Sequence, residues 1–292
     1  MANRFRIEKA MKFKFEKKWL SMGSGHLEII HVRTETPRAI VFAPPLIGGN
    51  LSQQVRYFRS LISFGYDLVT FTYRGHGKSQ GKFSLGTTLK DTVFVLDHTC
   101  RLAENENLPI FGIGSCAAAL PLLYGASQRP MAFSKLVLIN AISQIRLSSI
   151  FKSFFAYYRI IFRHQNKRYN MMDALRSYWD FMLPEVSRHK GTFGELALKR
   201  TKPLKIFHET LAWNPLDKLR LNGLPVLCLY SRDDRILKLY EALSESHYRA
   251  KIKRICPQVR FSPLEGDHFL SQPDVRCKAL KCILTFFRQA SD

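Results

Sequence analysis

Ile110-Phe111-Gly112-Ile113-Gly114-Ser115-Cys116-Ala117-Ala118 decides how this chain reads: an apolar strand after Pro109 runs straight into a cluster of small residues. The cluster has the form of a nucleophile elbow, a strained strand-to-helix turn that lifts one reactive side chain clear of the backbone, here with cysteine where serine usually stands. Residues two before and two after the reactive one must be small, because anything larger strikes neighbouring backbone. With Cys116 as nucleophile those flanks are Gly114 and Ala118, with Ala119 small as well, and every steric demand is met. With Ser115 they are Ile113 and Ala117, which puts a β-branched side chain where a small one is needed. A third register, Gly112-x-Gly114-x-Cys116, leaves glycine at the reactive position and makes the turn non-catalytic. Since a buried cysteine is often just a small core hydrophobe, the motif needs partners elsewhere in the chain.

Those partners follow downstream. The apolar strand Pro225-Val226-Leu227-Cys228-Leu229-Tyr230 leads into Ser231-Arg232-Asp233-Asp234-Arg235, a loop with an acid just past a strand end. Asp234 is the better candidate there, with Asp233 as the alternative. Leu264-Glu265-Gly266-Asp267-His268-Phe269 then sets a histidine in a glycine-containing loop between the strand-like Val259-Arg260-Phe261-Ser262 and a last helix over about 275–289. The order is nucleophile, acid, histidine, unlike that of the chymotrypsin or subtilisin folds.

A second motif lies upstream. Phe71-Thr72-Tyr73-Arg74-Gly75-His76-Gly77-Lys78-Ser79-Gln80-Gly81 resembles the D-Y-R-G-H-G-x-S-x-G loop of the monoacylglycerol-lipase-like and serine-aminopeptidase-like group of α/β-hydrolases. Ala39-Ile40-Val41-Phe42-Ala43-Pro44-Pro45-Leu46-Ile47-Gly48-Gly49 is similar to the strand and oxyanion loop of that superfamily, with Pro44-Pro45 in place of the common His-Gly. The resemblance covers about residues 25–143 and 215–290. It implies an α/β-hydrolase fold, a mostly parallel sheet flanked by helices, and an oxyanion hole of backbone N–H groups from Leu46 or Ile47 and from Ala117. A cysteine elbow is similar to those of dienelactone hydrolases and polyhydroxyalkanoate synthases, from whose G-x-C-x-G this chain departs at Ala118. The layout also resembles, more distantly, the acyl-transferase/thioesterase of bacterial luminescence, which uses serine.

The rest of the chain agrees with an alternating α/β plan. Residues 27–32 and 39–43 read as strands, 52–64 as a helix and 67–73 as the next strand. Thr88-Leu89-Lys90-Asp91 resembles a capping box opening a helix whose apolar positions are Leu89, Val93, Leu96, Cys100 and Ala103. After the elbow helix, which Pro121 is expected to kink, Lys135-Leu136-Val137-Leu138-Ile139-Asn140 reads as a strand buried on both faces. Helices alternating with such strands imply a parallel sheet. Three parts are expected: residues 1–143 as the first part of the core, 144–215 as a helical lid inserted after the sixth strand, and 216–292 as the second part.

Composition sets the class. The 292 residues are 46% hydrophobic with 16 Gly and 13 Pro, which fits a compact globular chain. Six cysteines, at 100, 116, 228, 256, 277 and 282, form no C-x-x-C pair or metal spacing; those at 100, 228, 277 and 282 sit in apolar patterns and read as reduced core residues. No metal or other cofactor is expected. The basic start lacks the apolar centre of a secretory signal and no uncharged run approaches a membrane span, so a cytoplasmic protein is expected, with peripheral membrane contact as a further reading.

Charge is the second informative feature: 45 Lys+Arg against 23 Asp+Glu give +22. Residues 1–18 hold seven basic and two acidic residues and residues 144–220 hold fifteen and six, so fourteen of the 22 excess charges come from about a third of the chain. Such a field favours an anionic partner: an acidic acyl-carrier protein, coenzyme A or an anionic membrane surface. No nucleic-acid-binding motif accompanies it. Ile150 to Arg163 is too aromatic for a solvated face and reads as a helix packed on the core or roofing a pocket, or as an interfacial helix with Lys152, Arg159 and Arg163 snorkelling. Thiolates attack acyl carbon and leave again readily. The expected function is therefore acyl transfer, or hydrolysis of a fatty or polyketide-like ester or thioester, through an acyl-cysteine on Cys116, with His268 as base and Asp234 orienting it. The alternatives are a carboxylester or monoacylglycerol hydrolase and a non-catalytic homologue that binds a lipid or partner.

Overall fold

A computed structural model describes residues 13–23, 25–46, 51–144, 213–232 and 245–289, with 155, 208, 209, 211, 234, 236 and 237 as isolated positions between them. Eight strands form one sheet: β1 (Phe13–Met22), β2 (Gly25–Thr34), β3 (Ala39–Phe42), β4 (Tyr66–Phe71), β5 (Ile110–Ser115), β6 (Lys135–Ile139), β7 (Val226–Ser231) and β8 (Val259–Leu264). Their order is β1-β2-β4-β3-β5-β6-β7-β8. β2 runs antiparallel to β1 and β4, and every pairing from β4 through β3, β5, β6 and β7 to β8 is parallel. β4, β6 and β7 are buried along their whole length, the reason they read as unbroken apolar runs.

The helices described are α1 (Leu51–Ile62), α2 (Leu85–Glu106), α3 (Ala119–Gln128), α4 (Glu245–Ile255) and α5 (Pro273–Arg288). One face of the sheet packs Ile40, Phe42, Val69 and Phe71 against α2, α3 and α4. The other packs Val41, Leu68, Ile113 and Val137 against Phe58 and Leu61 of α1 and Ala279 and Ile283 of α5. Because β3, β5, β6, β7 and β8 are parallel, their C-terminal ends share one edge, and the loops that leave it can converge.

Local structure departs from the sequence reading in four places. The basic start contains an ordered strand, β1, paired with β2 over its ten residues. α2 begins at Leu85, capped by Ser84, whose Oγ accepts from Thr87 N at 3.1 Å while Thr87 Oγ1 accepts from Ser84 N at 2.9 Å. Its buried stripe includes Thr88, Thr92 and Thr99, each donating its hydroxyl to a carbonyl one turn back, and so hiding its polarity. Pro121 falls in the first turn of α3, where a missing N–H costs no helical bond, and causes no break. Finally, Cys277 is exposed on α5, whereas Cys228 and Cys256 are buried and all six thiols are free.

The Arg74-Gly75-His76-Gly77 loop has a structural task. Arg74 Nε donates to Asp91 Oδ1 at 2.7 Å and its backbone N to Oδ2 at 3.0 Å, so a buried carboxylate on α2 holds the loop. Ser79 Oγ donates to Thr72 O at 2.6 Å and accepts from Glu28 N at 2.9 Å, tying the loop to β2. Gly75 has φ +78°, and a Cβ there would lie 2.8 Å from Phe83 N. The expected lid, including the aromatic stretch from Ile150 to Arg163, lies almost wholly outside the described residues. Glu209 is within them, and its carboxylate accepts from Leu85 N at 2.7 Å at the start of α2, where a negative charge is favoured.

Candidate active site

β5 ends in extended geometry at Ser115, φ −109° and ψ 144°. The next residue, Cys116, has φ +50°, a left-handed conformation that costs an ordinary L-residue about 1–2 kcal/mol. A single 3-10 turn, Cys116–Ala118, leads into α3. The strained corner of the strand-to-helix turn is therefore Cys116, while Ser115 lies on the strand and Gly114 pairs within it against Leu138. A Cβ on Gly114 would sit 2.8 Å from Ala119 Cα, so the demand for a small residue two before the corner is a backbone contact. Ala118, two after it, is fully buried.

His268 and Asp234 meet. His268 Nδ1–H donates to Asp234 Oδ2 at 2.6 Å, and neither side chain is exposed. Asp234 Oδ1 accepts from Leu237 N at 2.8 Å, which fixes the carboxylate. The other ring nitrogen, Nε2, is buried without an aligned hydrogen-bond partner among the described residues. Cys116 lies in the electrostatic surroundings of the ring. Burial alone would lower the histidine's pKa, but the electrostatic influence of Cys116 and of Asp234, with the hydrogen bond to Asp234, raises it well above the ordinary value.

Of the backbone groups expected for an oxyanion, Leu46 and Ala117 are described, both half-buried, at the ends of β3 and β5. Ile47 and the alternative acid Asp233 lie outside the described residues. Among the described residues no cluster of three His, Cys, Asp or Glu side chains is arranged to hold a metal ion. A concavity of about 850 Å³ is remote from this chemistry: it is lined by Asn107, Pro109, Arg129 and Met131 at the opposite end of β5.

One residue of the site escaped the sequence reading. Asn140, directly after β6, adopts φ +45° and donates its Nδ2 to His268 O at 2.7 Å and to Ser231 Oγ at 3.1 Å. Its Oδ1 accepts from Ser231 N at 2.7 Å. The available signal was an asparagine closing an apolar strand, since asparagine tolerates the left-handed region and can bond in both directions.

No protein-family model and no curated protein matches the chain. Solved structures do. A soluble variant of monoglyceride lipase from Saccharomyces cerevisiae, in complex with a substrate analog, aligns with TM-score 0.62 at 13% identity over 99% of this chain and 98% of that one. A thermostable carboxyl esterase from Bacillus coagulans aligns with TM-score 0.62 at 14% identity over 94% and 98%. A thioesterase domain from the curacin biosynthetic pathway gives 0.57 at 17% identity over 93% and 99%. At such identities the likeness speaks for the fold, and it agrees with the strand order, the antiparallel β2 and the strained turn after β5: the chain has the α/β-hydrolase fold.

Proposed function

We propose that this chain is an enzyme of acyl chemistry, transferring an acyl group or hydrolysing an ester or thioester through an acyl-cysteine on Cys116. The observation that carries the reading is a cysteine at the strained corner after β5, φ +50°, electrostatically coupled to a buried histidine that is bonded at 2.6 Å to a buried aspartate. The Cys116 sulfur attacks the acyl carbonyl, the oxyanion is held by N–H groups of Ala117 and of Leu46 or Ile47, and His268 protonates the departing group. In the second step His268 takes a proton from water, an alcohol or a thiol, whose oxygen or sulfur attacks the acyl carbon and releases Cys116. Asp234 holds the imidazole with Nδ1–H facing the carboxylate.

Fatty or polyketide-like acyl groups are the proposed substrates, and the thioesterase and lipase neighbours support that class. The net charge of +22 supports an anionic carrier, either an acyl-carrier protein or coenzyme A, or contact with an anionic membrane. The monoglyceride lipase and esterase neighbours favour plain carboxylester hydrolysis as a second reading of the same site. Intact-protein mass after brief exposure to an octanoyl thioester, with peptide mapping and a Cys116→Ala control, tests the proposal. An acyl adduct on Cys116 that is absent from the control supports it, and decay of the adduct on adding alcohols or thiols, but not in water, identifies a transferase. An adduct on Ser115, or substrate turnover undiminished in Cys116→Ala, would sink the cysteine mechanism.

A further inference from the structure

The three proposed reactive residues leave three separate strand ends, after β5, after β7 and after β8, and the loops of His268 and Asp234 are joined directly by the His268–Asp234 bond and the β7–β8 pairing. The short stretch that leaves β6 bonds to all three. Asn140 Nδ2 donates to His268 O at 2.7 Å, with Asp267 O at 3.5 Å. The same side chain exchanges two bonds with Ser231, the residue from which the Asp234 turn departs: Oδ1 accepts from Ser231 N at 2.7 Å and Nδ2 donates to Ser231 Oγ at 3.1 Å. Ser231 Oγ in turn donates to Asp267 O at 3.2 Å, and Ser231 O accepts from Asp234 N at 3.3 Å. Two residues further along, Ile142 N donates to the carbonyl of Cys116 at 3.2 Å. Between them, Ala141 O accepts from the hydroxyl of Tyr248, which anchors the stretch to α4.

Each of these bonds is buried or nearly so, and the asparagine that makes most of them is 1% exposed and held at φ +45°. A left-handed corner is what turns the carboxamide sideways, across the ends of β7 and β8, instead of along its own strand. We propose that Asn140 is a positioning residue for the acyl chemistry: its side chain clamps the loops of His268 and Asp234 to each other while its own strand end is bonded to the backbone of Cys116. The inference rests on the function proposed above, and it assigns to β6 a part in that function which none of the three reactive residues reveals.

Asn140→Gly keeps the left-handed backbone accessible and removes the clamp, so it separates side-chain bonding from backbone strain. Three readouts follow: steady-state kinetics with octanoyl-N-acetylcysteamine, the pH profile of Cys116 alkylation by iodoacetamide, and the low-field proton resonance of the His268–Asp234 hydrogen bond. Turnover is expected to fall about 100-fold, the loss that follows a misplacement of about 1 Å, with KM changed by less than about threefold because no substrate contact is removed. The low-field resonance should broaden or vanish and the alkylation profile should shift. Asn140→Asp, which still offers Ser231 N an acceptor but nothing to donate to His268 O, is expected to lose the resonance too.

A folded Asn140→Gly with the wild-type resonance, alkylation profile and turnover overturns the proposal, as does a variant that only melts earlier. If the glycine variant fails to fold, Asn140→Asp decides by the same three readouts. If wild-type protein turns over no acyl thioester, the proposed function fails, while resonance and alkylation still decide whether Asn140 positions the histidine.

Discussion

Gly114→Ala puts the geometry of the strained turn to a quantitative test. The added Cβ would lie 2.8 Å from Ala119 Cα, 3.1 Å from Ala119 N and 3.0 Å from Leu122 Cδ2. Carbon contacts settle at about 3.5–4.0 Å, so β5 and α3 must separate by about 0.7 Å or more. Two of the three obstacles are backbone atoms, which cannot rotate away. Overpacking of this kind costs about 1–3 kcal/mol, and the narrower unfolded ensemble of alanine returns about 0.4–1 kcal/mol. The net loss is about 0–2.6 kcal/mol, worth several degrees of melting temperature at most in a chain of this length. Activity should fall much further, by about 30–100-fold, because the displaced backbone carries the proposed nucleophile, Cys116, two residues later.

The comparison variant is Gly112→Ala. Its Cβ would strike Leu136 Cδ2 and lie 3.0 Å from Leu122 Cδ1 and Phe133 Cε1, all side-chain ends that can turn aside. It should lose similar stability and keep most of its rate. The assay is thermal melting alongside the rate of Cys116 acylation measured by mass. Wild-type acylation in Gly114→Ala, or an equal loss in Gly112→Ala, would refute the reasoning.

Three further outcomes are expected. Brief iodoacetamide treatment of native protein should label Cys116 and the exposed Cys277, leaving Cys228 and Cys256 untouched, because burial pushes both of those thiols up to about 12; peptide mapping decides it, and modified Cys228 in folded protein would contradict the packing. Since His268 is raised in the folded state, the stability contributed by its charged form is present below the ordinary histidine value and lost as pH climbs through the folded one. Melts across the alkaline range should thus show the decline beginning at lower pH in Cys116→Ala, where the support of Cys116 for the imidazolium is removed, and superimposable profiles would count against the pair. Arg74→Ala strands the buried Asp91 carboxylate, whose pKa burial already raises against the pull of Arg74. A loss of about 3–5 kcal/mol is expected by urea melting, with partial recovery in the Arg74→Ala/Asp91→Ala double variant.

The parts of this architecture that could be read in the sequence are those governed by short-range sterics and burial. Small residues at 114 and 118 announce a sharp turn because the demand for them is local, as the approach of Gly114 to Ala119 shows, and the parallel strands are legible because both faces are covered. β1 was not legible: it lies at the sheet edge, with Phe15 52% and Trp19 46% exposed among lysines, so no buried face imposes a pattern. The cap of α2 fell at Ser84 because threonine is ambiguous in sequence, able to cap a helix or to bond inward within it. Asn140 stayed hidden for a different reason. Its partners, Ser231 and His268, are 91 and 128 residues away, and only the completed sheet brings them together.

The balance of forces on His268 also bears on the timing of a two-step reaction. A buried imidazole that holds its proton does so here against desolvation, with the influence of Cys116 the foremost support. In the proposed acyl-cysteine that support would be gone, while the burial that opposes it stays. After giving its proton to the departing group the ring is then reluctant to take one back from bulk solvent and stands ready as a base for the incoming acceptor. The covalent intermediate would thus act as its own signal, changing its neighbour from acid to base without any movement of the protein.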